Sequence, residues 1–299
     1  MTNEEVEKKM AEDFLLRDLS ERTQKAYRRV AEALLSHSGK SNYGDLGQDD
    51  LRAFLLDLRR EGEVAATTSN QYNSGCKFLL RTVLCKNIDS SQVPNAKIAR
   101  KERRPLTISQ LEALFGWFED VTVFAFFLTL YGTGLRVSEL CGVRTDDIIT
   151  DEKTGLHRLR VMAGKGGKSR TVDLPEACYR ALRLHWKKKR PENQYHLMFP
   201  DRKHCQAKAN QYTKYFADAR NNSIIPGDLS SHCLRHSFAT HYMQSGGDIL
   251  RLKMLLGHGS LASTEIYISL AALYSNDNSS SPEEVCDRLL RRFLERLNG

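Results

Sequence analysis

Apolar residues between Thr23 and Leu35 fall at Ala26, Val30, Ala31, Leu34 and Leu35, a spacing that predicts an amphipathic helix with Arg22, Lys25, Arg28 and Arg29 on its other face. Asp49 to Leu58 repeats the pattern with Leu51, Phe54, Leu55 and Leu58, and Gly62 breaks that helix. A third helix is expected from about Ala66 to Leu84, with Tyr72, Cys76, Leu79, Leu80 and Val83 as its stripe. Its first turns are crowded with short polar side chains, from Thr67 to Ser74. Such side chains suit contacts to a nucleic-acid backbone, or simply a solvated face behind an N-cap. The pattern leaves both readings open.

After Leu106 the chain stays mostly helical. Thr107 leads a helix carrying Leu111, Leu114 and Phe115, and the nearly continuous apolar run Val121 to Leu130 predicts a buried core helix. One β interruption stands out: Leu159 to Met162 and Ser169 to Val172 flank Gly164-Lys165-Gly166-Gly167, the signature of a hairpin around a glycine turn. Pro175 to Arg190 returns to helix. Ser230 or Ser231 is placed to cap a helix that Gly246-Gly247 ends, Asp248 to Leu256 forms the next, and Ser263 is placed to cap a third. The polar stretch Ser275 to Ser281 reads as a tether to a last amphipathic helix from Pro282, with Val285, Leu289, Phe293, Leu294 and Leu297 on one side. That helix has two destinations, its own domain or a neighbouring subunit. The expected fold is therefore mainly α with a small antiparallel β-sheet, in two domains: a helical unit over 1–95, a basic linker over 96–104, and an α+β unit over 105–299. The linker region, Pro94 to Pro105, carries Lys97, Arg100, Lys101, Arg103 and Arg104 against Glu102 alone.

Composition narrows the class. The chain has 299 residues and a net charge of +8, with a cationic excess in both parts and no basic tail. A distributed positive field suits a protein that meets phosphates with both halves. Seven cysteines without any C-x-x-C pair indicate neither a disulfide framework nor a zinc ribbon, so reduced thiols in a cytoplasmic, nucleoid-facing protein are expected. No apolar run approaches the ~18 residues of a membrane span, and the acidic, polar start is not a secretory signal.

The candidate chemistry lies in four places. Gly132 and Gly134 precede a helical segment in which Arg136 and Glu139 stand three apart; the carboxylate is positioned to hold the guanidinium while its other N–H groups fork onto a phosphate, although a surface ion pair would look the same. Lys165, with Lys168 close by, flanks the hairpin turn. His232, Arg235 and His236 fall on one side of a helix at i, i+3 and i+4. His258 follows Gly257, and Tyr267 lies about one turn into the next helix. Zinc is a rival for the histidines, but Cys233 stands where a metalloprotease helix has its Glu, and Arg235 would repel a dication. Buried structural histidines are the other rival. A tyrosine among cationic donors, without an acidic metal cage, is what direct attack on a phosphodiester requires.

Four stretches carry a family resemblance: residues 132–140 (Gly-Thr-Gly-Leu-Arg-Val-Ser-Glu-Leu), 164–170 (Gly-Lys-Gly-Gly-Lys-Ser-Arg), 232–241 (His-Cys-Leu-Arg-His-Ser-Phe-Ala-Thr-His) and 255–267 (Leu-Leu-Gly-His-Gly-Ser-Leu-Ala-Ser-Thr-Glu-Ile-Tyr). In this order they resemble the tyrosine recombinases of the phage-integrase and Xer type. The helices before residue 96 resemble that family's core-binding domain more loosely. The resemblance implies a two-domain DNA clamp and a catalytic set of Arg136, Lys165, His232, Arg235, His258 and Tyr267, with Glu139 supporting the first arginine. It also implies strand cleavage and rejoining through a 3′-phosphotyrosine, no cofactor or metal, double-stranded DNA as partner, and a homotetramer on that DNA. A relaxing topoisomerase or telomere resolvase would share the chemistry, and a non-catalytic DNA-binding protein would share the fold.

Overall fold

The computed structural model describes residues 1–60, 62, 64–98, 104–162, 169–227, 229–274 and 280–298. The chain separates into two compact units, Met1–Lys101 and Glu102–Gly299.

In the first unit, α1 (Asn3–Leu16), α2 (Glu21–Ser38), α3 (Gln48–Arg60) and α4 (Ala66–Lys77) surround one apolar core, and α4 runs on into a π-helical turn, Phe78–Val83. The sequence pattern did not predict α1. Its apolar positions Val6, Met10 and Phe14 lie four apart and are buried, while a Thr2–Glu5 capping box satisfies its first N–H groups. The polar strip of α4 is in part structural. Asn73 is fully buried and donates to the Val93 carbonyl at 3.0 Å. Asn70 both donates to and accepts from the Ala96 backbone. Arg59 adds a bond to the Pro94 carbonyl. The start of the basic segment is thus pinned to α3 and α4. Residues 99–103, with Arg100, Lys101 and Arg103, lie outside the described residues.

The second unit is built around α6 (Val121–Thr133), which is buried along nearly its whole length. An Asp120 side chain caps its start and Gly134 closes its end in the left-handed region at φ +65°. Helices α8 (Glu176–Lys188) and α10 (His232–Gln244) pack on it, as does α13 (Pro282–Asn298). The other helices are α5 (Ile108–Trp117), the short α7 (Val137–Cys141), α9 (Ala209–Asn221), α11 (Ile249–Leu256) and α12 (Ala262–Leu273). The expected hairpin appears as β2 (His157–Val161) and β3 (Arg170–Leu174), and a further short strand, β1 (Ile148–Thr150), pairs antiparallel with β2. Neither α9 nor β1 was predicted.

Two expected caps are absent. Ser231 precedes α10 with helical backbone angles and no capping hydrogen bond. Ser263 lies inside α12, whose N-cap position is Leu261, and its hydroxyl meets that of Ser260 instead. The last helix covers its own unit: Val285, Cys286, Leu289, Leu290 and Phe293 are buried, and the Phe293 ring stacks on Phe124 at 3.8 Å. Arg288 and Arg292 bracket Glu112 of α5. Of its two expected destinations, the helix takes its own unit, and this face is filled in cis.

Candidate active site

The site gathers where α6 ends, β3 begins and α10, α11 and α12 meet. Gly134 sets the first part. A Cβ there would lie 2.4 Å from the Phe238 ring of α10, so only glycine permits both the left-handed turn and this approach. The turn aims the Gly134 carbonyl at Arg235, whose Nη1 donates to it at 2.8 Å while Nη2 donates to the Leu256 carbonyl at 2.6 Å. Arg235 is 2% exposed. Burial and the neighbouring Arg136 charge lower its pKa to about 10, against the opposing pull of Glu139 and Tyr267. It therefore stays cationic at neutral pH, with its plane fixed by two carbonyls.

Arg136 occupies the N-cap position of α7, and Glu139 sits one turn in. Glu139 accepts from the Arg136 backbone N–H at 2.8 Å and from its Nη1 at 2.9 Å. It is held equally by Arg170, which stood in the predicted hairpin and in the 164–170 stretch without a role of its own: Arg170 donates Nη1 and Nη2 to the two Glu139 oxygens, each at 2.9 Å, and Nε to the Leu255 carbonyl at 2.8 Å. Burial pushes the Glu139 carboxyl up, but the hydrogen bonds from Arg170 and the Arg136 backbone, with both positive charges, bring it down to about 2. Strand alternation held the clue: Arg170 is in phase with buried Val172 and Leu174, so it faces inward.

The α10 histidines do not share one environment. His232 is exposed and His236 is half-buried. His236 Nδ1 lies 2.8 Å from the Tyr267 hydroxyl, and the two α10 imidazoles meet edge-on at 4.9 Å. The sequence named His236 without giving it a role; its place one residue after Arg235 turns it towards α12. His258 hydrogen-bonds the buried Thr264 hydroxyl through Nδ1 at 2.9 Å, and its ring lies nearly parallel to that of Tyr267 at 6.4 Å. Tyr267 itself is 1% exposed. The structure thus brings together Arg136, Glu139, Arg235, His258 and Tyr267, with His232 alongside through His236. Lys165 and its neighbour Lys168 lie outside the described residues.

A central buried helix, a three-stranded antiparallel sheet, and a tyrosine set among arginines and histidines define a DNA strand-transferring enzyme of the integrase class. Residues 104–273 match the Phage integrase family and residues 7–90 match its N-terminal SAM-like domain. The chain belongs to the phage integrase family of tyrosine recombinases. It is 31% identical to tyrosine recombinase XerD of Shewanella oneidensis, over 85% of this chain and 87% of that protein. It is 30% identical to tyrosine recombinase XerA of Pyrococcus furiosus, over 82% and 83% of the two chains. Among solved structures, a lambda integrase dimer bound to a COC′ core site shares the fold with a TM-score of 0.70 at 19% identity, covering 93% of this chain and 99% of that one.

Proposed function

We propose that this protein is a site-specific recombinase that cuts and rejoins double-stranded DNA through a 3′-phosphotyrosine on Tyr267, in integration and excision or in dimer resolution. The observation that carries this reading is the Tyr267 hydroxyl, held by His236 on the same helix that buries Arg235. The Tyr267 oxygen attacks the scissile phosphorus and the bond from phosphorus to the 5′-oxygen breaks, so phosphodiester energy is retained and no ATP is consumed. A phenol of pKa about 10 is a weak nucleophile at neutral pH, so its proton must leave during attack. His236 is within hydrogen-bond distance to receive it. Arg136 and Arg235 clamp the non-bridging oxygens and offset the charge that grows in the transition state. His232 and His258 add hydrogen bonds, and Lys165 protonates the departing 5′-oxygen. Rejoining is the reverse attack by a 5′-hydroxyl of a partner strand.

Both units contact the DNA in this reading, the first through its basic helices and linker, and a homotetramer assembles on the paired sites. Among the described residues no helix is long and apolar enough to cross a membrane, and the proposed setting is the cytoplasm, at the nucleoid. The test is to quench a reaction with cellular DNA in denaturant, digest the protein, and sequence the DNA attached to the Tyr267 peptide. One recurrent sequence is expected. Adducts on a different residue, or none, reject the assignment.

A further inference from the structure

We propose that Arg170 is a positioning residue for the strand-cleavage reaction: by taking both oxygens of Glu139, it keeps Arg136 oriented and its positive charge available for the scissile phosphate. The inference rests on Arg136 acting at that phosphate, as proposed above.

A lone Arg136–Glu139 pair would be a poor phosphate clamp. The two charges would cancel, and the carboxylate would compete with the DNA for the guanidinium. Arg170 changes both terms. Its fork holds the Glu139 carboxylate bidentately, with side chains only 14% and 10% exposed, so the carboxylate plane cannot turn. Arg136 keeps one bond to Oε1 and remains 43% exposed. The three side chains together carry one net positive charge, and the cation facing solvent is Arg136. The low pKa of Glu139 agrees with an anion shared between two guanidiniums.

Arg170 also joins this unit to the turn that carries His258. Its Nε bonds the Leu255 carbonyl, and Gly257, at φ +64°, lets the backbone lie against the guanidinium: a Cβ there would sit 3.0 Å from Nη1. At the first residue of β3, opposite Val161, Arg170 is the point where the hairpin meets α7 and the end of α11.

The test uses full-length protein and a nicked duplex bearing the sequence recovered from Tyr267 adducts. Arg170→Ala should slow single-turnover cleavage by about 100-fold, the scale of one lost electrostatic contact in a transition state, and leave DNA affinity within about threefold, since Arg170 is not among the exposed cations. The decisive variant is Arg170→Ala with Glu139→Gln, which removes the competing anion and restores the net charge. It should recover at least about tenfold of the lost rate. A merely structural Arg170 predicts no such rescue, so a double variant as slow as Arg170→Ala overturns the proposal. Should Arg170→Ala fail to fold, Arg170→Lys serves: it keeps the charge but not the fork, should cleave about tenfold slower with unchanged affinity, and wild-type cleavage overturns the proposal. Arg136→Ala is run in parallel. If it cleaves normally, the underlying site reading fails; if it is inactive while Arg170→Ala cleaves normally, only the role of Arg170 falls.

Discussion

Replacing Gly134 by alanine puts the link between backbone and chemistry to a direct test. Gly134 sits at φ +65°, where an L-residue costs roughly 1–2 kcal/mol. The new Cβ would meet Phe238 Cδ1 at 2.4 Å and Cε1 at 2.8 Å, with Leu256 Cδ2 at 3.1 Å. The ring belongs to buried Phe238, so relief requires a shift of α10 or of the turn, and overpacking of this kind costs about 1–3 kcal/mol. The reduced freedom of the unfolded chain returns roughly 0.4–1 kcal/mol. The net loss is therefore about 3 kcal/mol, which for a unit of this size lowers Tm by roughly 6–12 °C. Both tryptophans, Trp117 and Trp186, lie in the second unit, so fluorescence melts report on that unit alone. Because the Gly134 carbonyl orients Arg235, cleavage measured well below Tm should also fall, by about tenfold or more. Gly116→Ala is the control: it lies in α5 with nothing near its Cβ and should shift stability by no more than about 1 kcal/mol. If Gly134→Ala melts within about 1 °C of wild type while Gly116→Ala behaves as stated, the packing argument is refuted.

Four further outcomes are expected. Tyr267→Phe should bind DNA normally and form no denaturant-resistant adduct; any adduct with this variant removes Tyr267 as the nucleophile. Arg136→Ala and Arg235→Ala should each lose about 10²–10³ in cleavage rate, and near-normal cleavage by either takes that arginine out of the site. His241 is buried with its Nδ1 on the Tyr131 hydroxyl, and burial, opposed by a bond to the Leu106 backbone, lowers its pKa to about 4. The unfolded chain takes up that proton near pH 6.5, so this stabilisation is complete above 6.5 and is lost as pH falls towards 4, about 3 kcal/mol in all. His241→Gln should flatten the dependence of stability on pH in that window, and an unchanged slope counts against it. Excess EDTA should leave cleavage intact, because in the proposed mechanism guanidiniums take the place that metal ions hold in many phosphoryl-transfer sites; strong inhibition would return the metal reading.

The legible parts of the chain were those governed by local periodicity. The stripes of α2, α3, α8 and α13 are strong, the unbroken apolar run of α6 marks a helix buried on all sides, and Gly62, Gly134 and Gly246 mark real breaks in the left-handed region. What escaped depends on contacts between distant residues. In α9 only Tyr212, Phe216 and Ala219 are buried, and β1 has three residues with none of them fully buried, so neither has a pattern long enough to register. The capping serines were misplaced because a Ser before a helix is only an option; at Ser231 and Ser263 the backbone is already helical. In the site, residue types and spacing pointed to Arg136, Glu139, Arg235, His258 and Tyr267. They could not show that Glu139 serves two arginines, one of them 31 positions away, or that the tyrosine hydroxyl rests on His236.

That resting place bears on how the site can work. Tyr267 is 1% exposed, and a phosphorus in an external duplex cannot come in line with a hydroxyl that solvent barely reaches. Arg235 is held by the carbonyls of Gly134, at the end of α6, and Leu256 of α11, and Arg136 is held by Glu139, which Arg170 holds in turn. The proposed nucleophile is mounted on a different helix. It rides on α12, where the Tyr267 hydroxyl and His236 Nδ1 share a hydrogen bond, the Thr264 hydroxyl meets His258, and Gln244 of α10 donates to the Ala271 carbonyl and to that of Tyr274 just beyond the helix. In the proposed reaction, attack therefore requires the Tyr267 hydroxyl to become reachable by the duplex while His236 stays close enough to take its proton, so any exposure of the hydroxyl has to carry the two rings together.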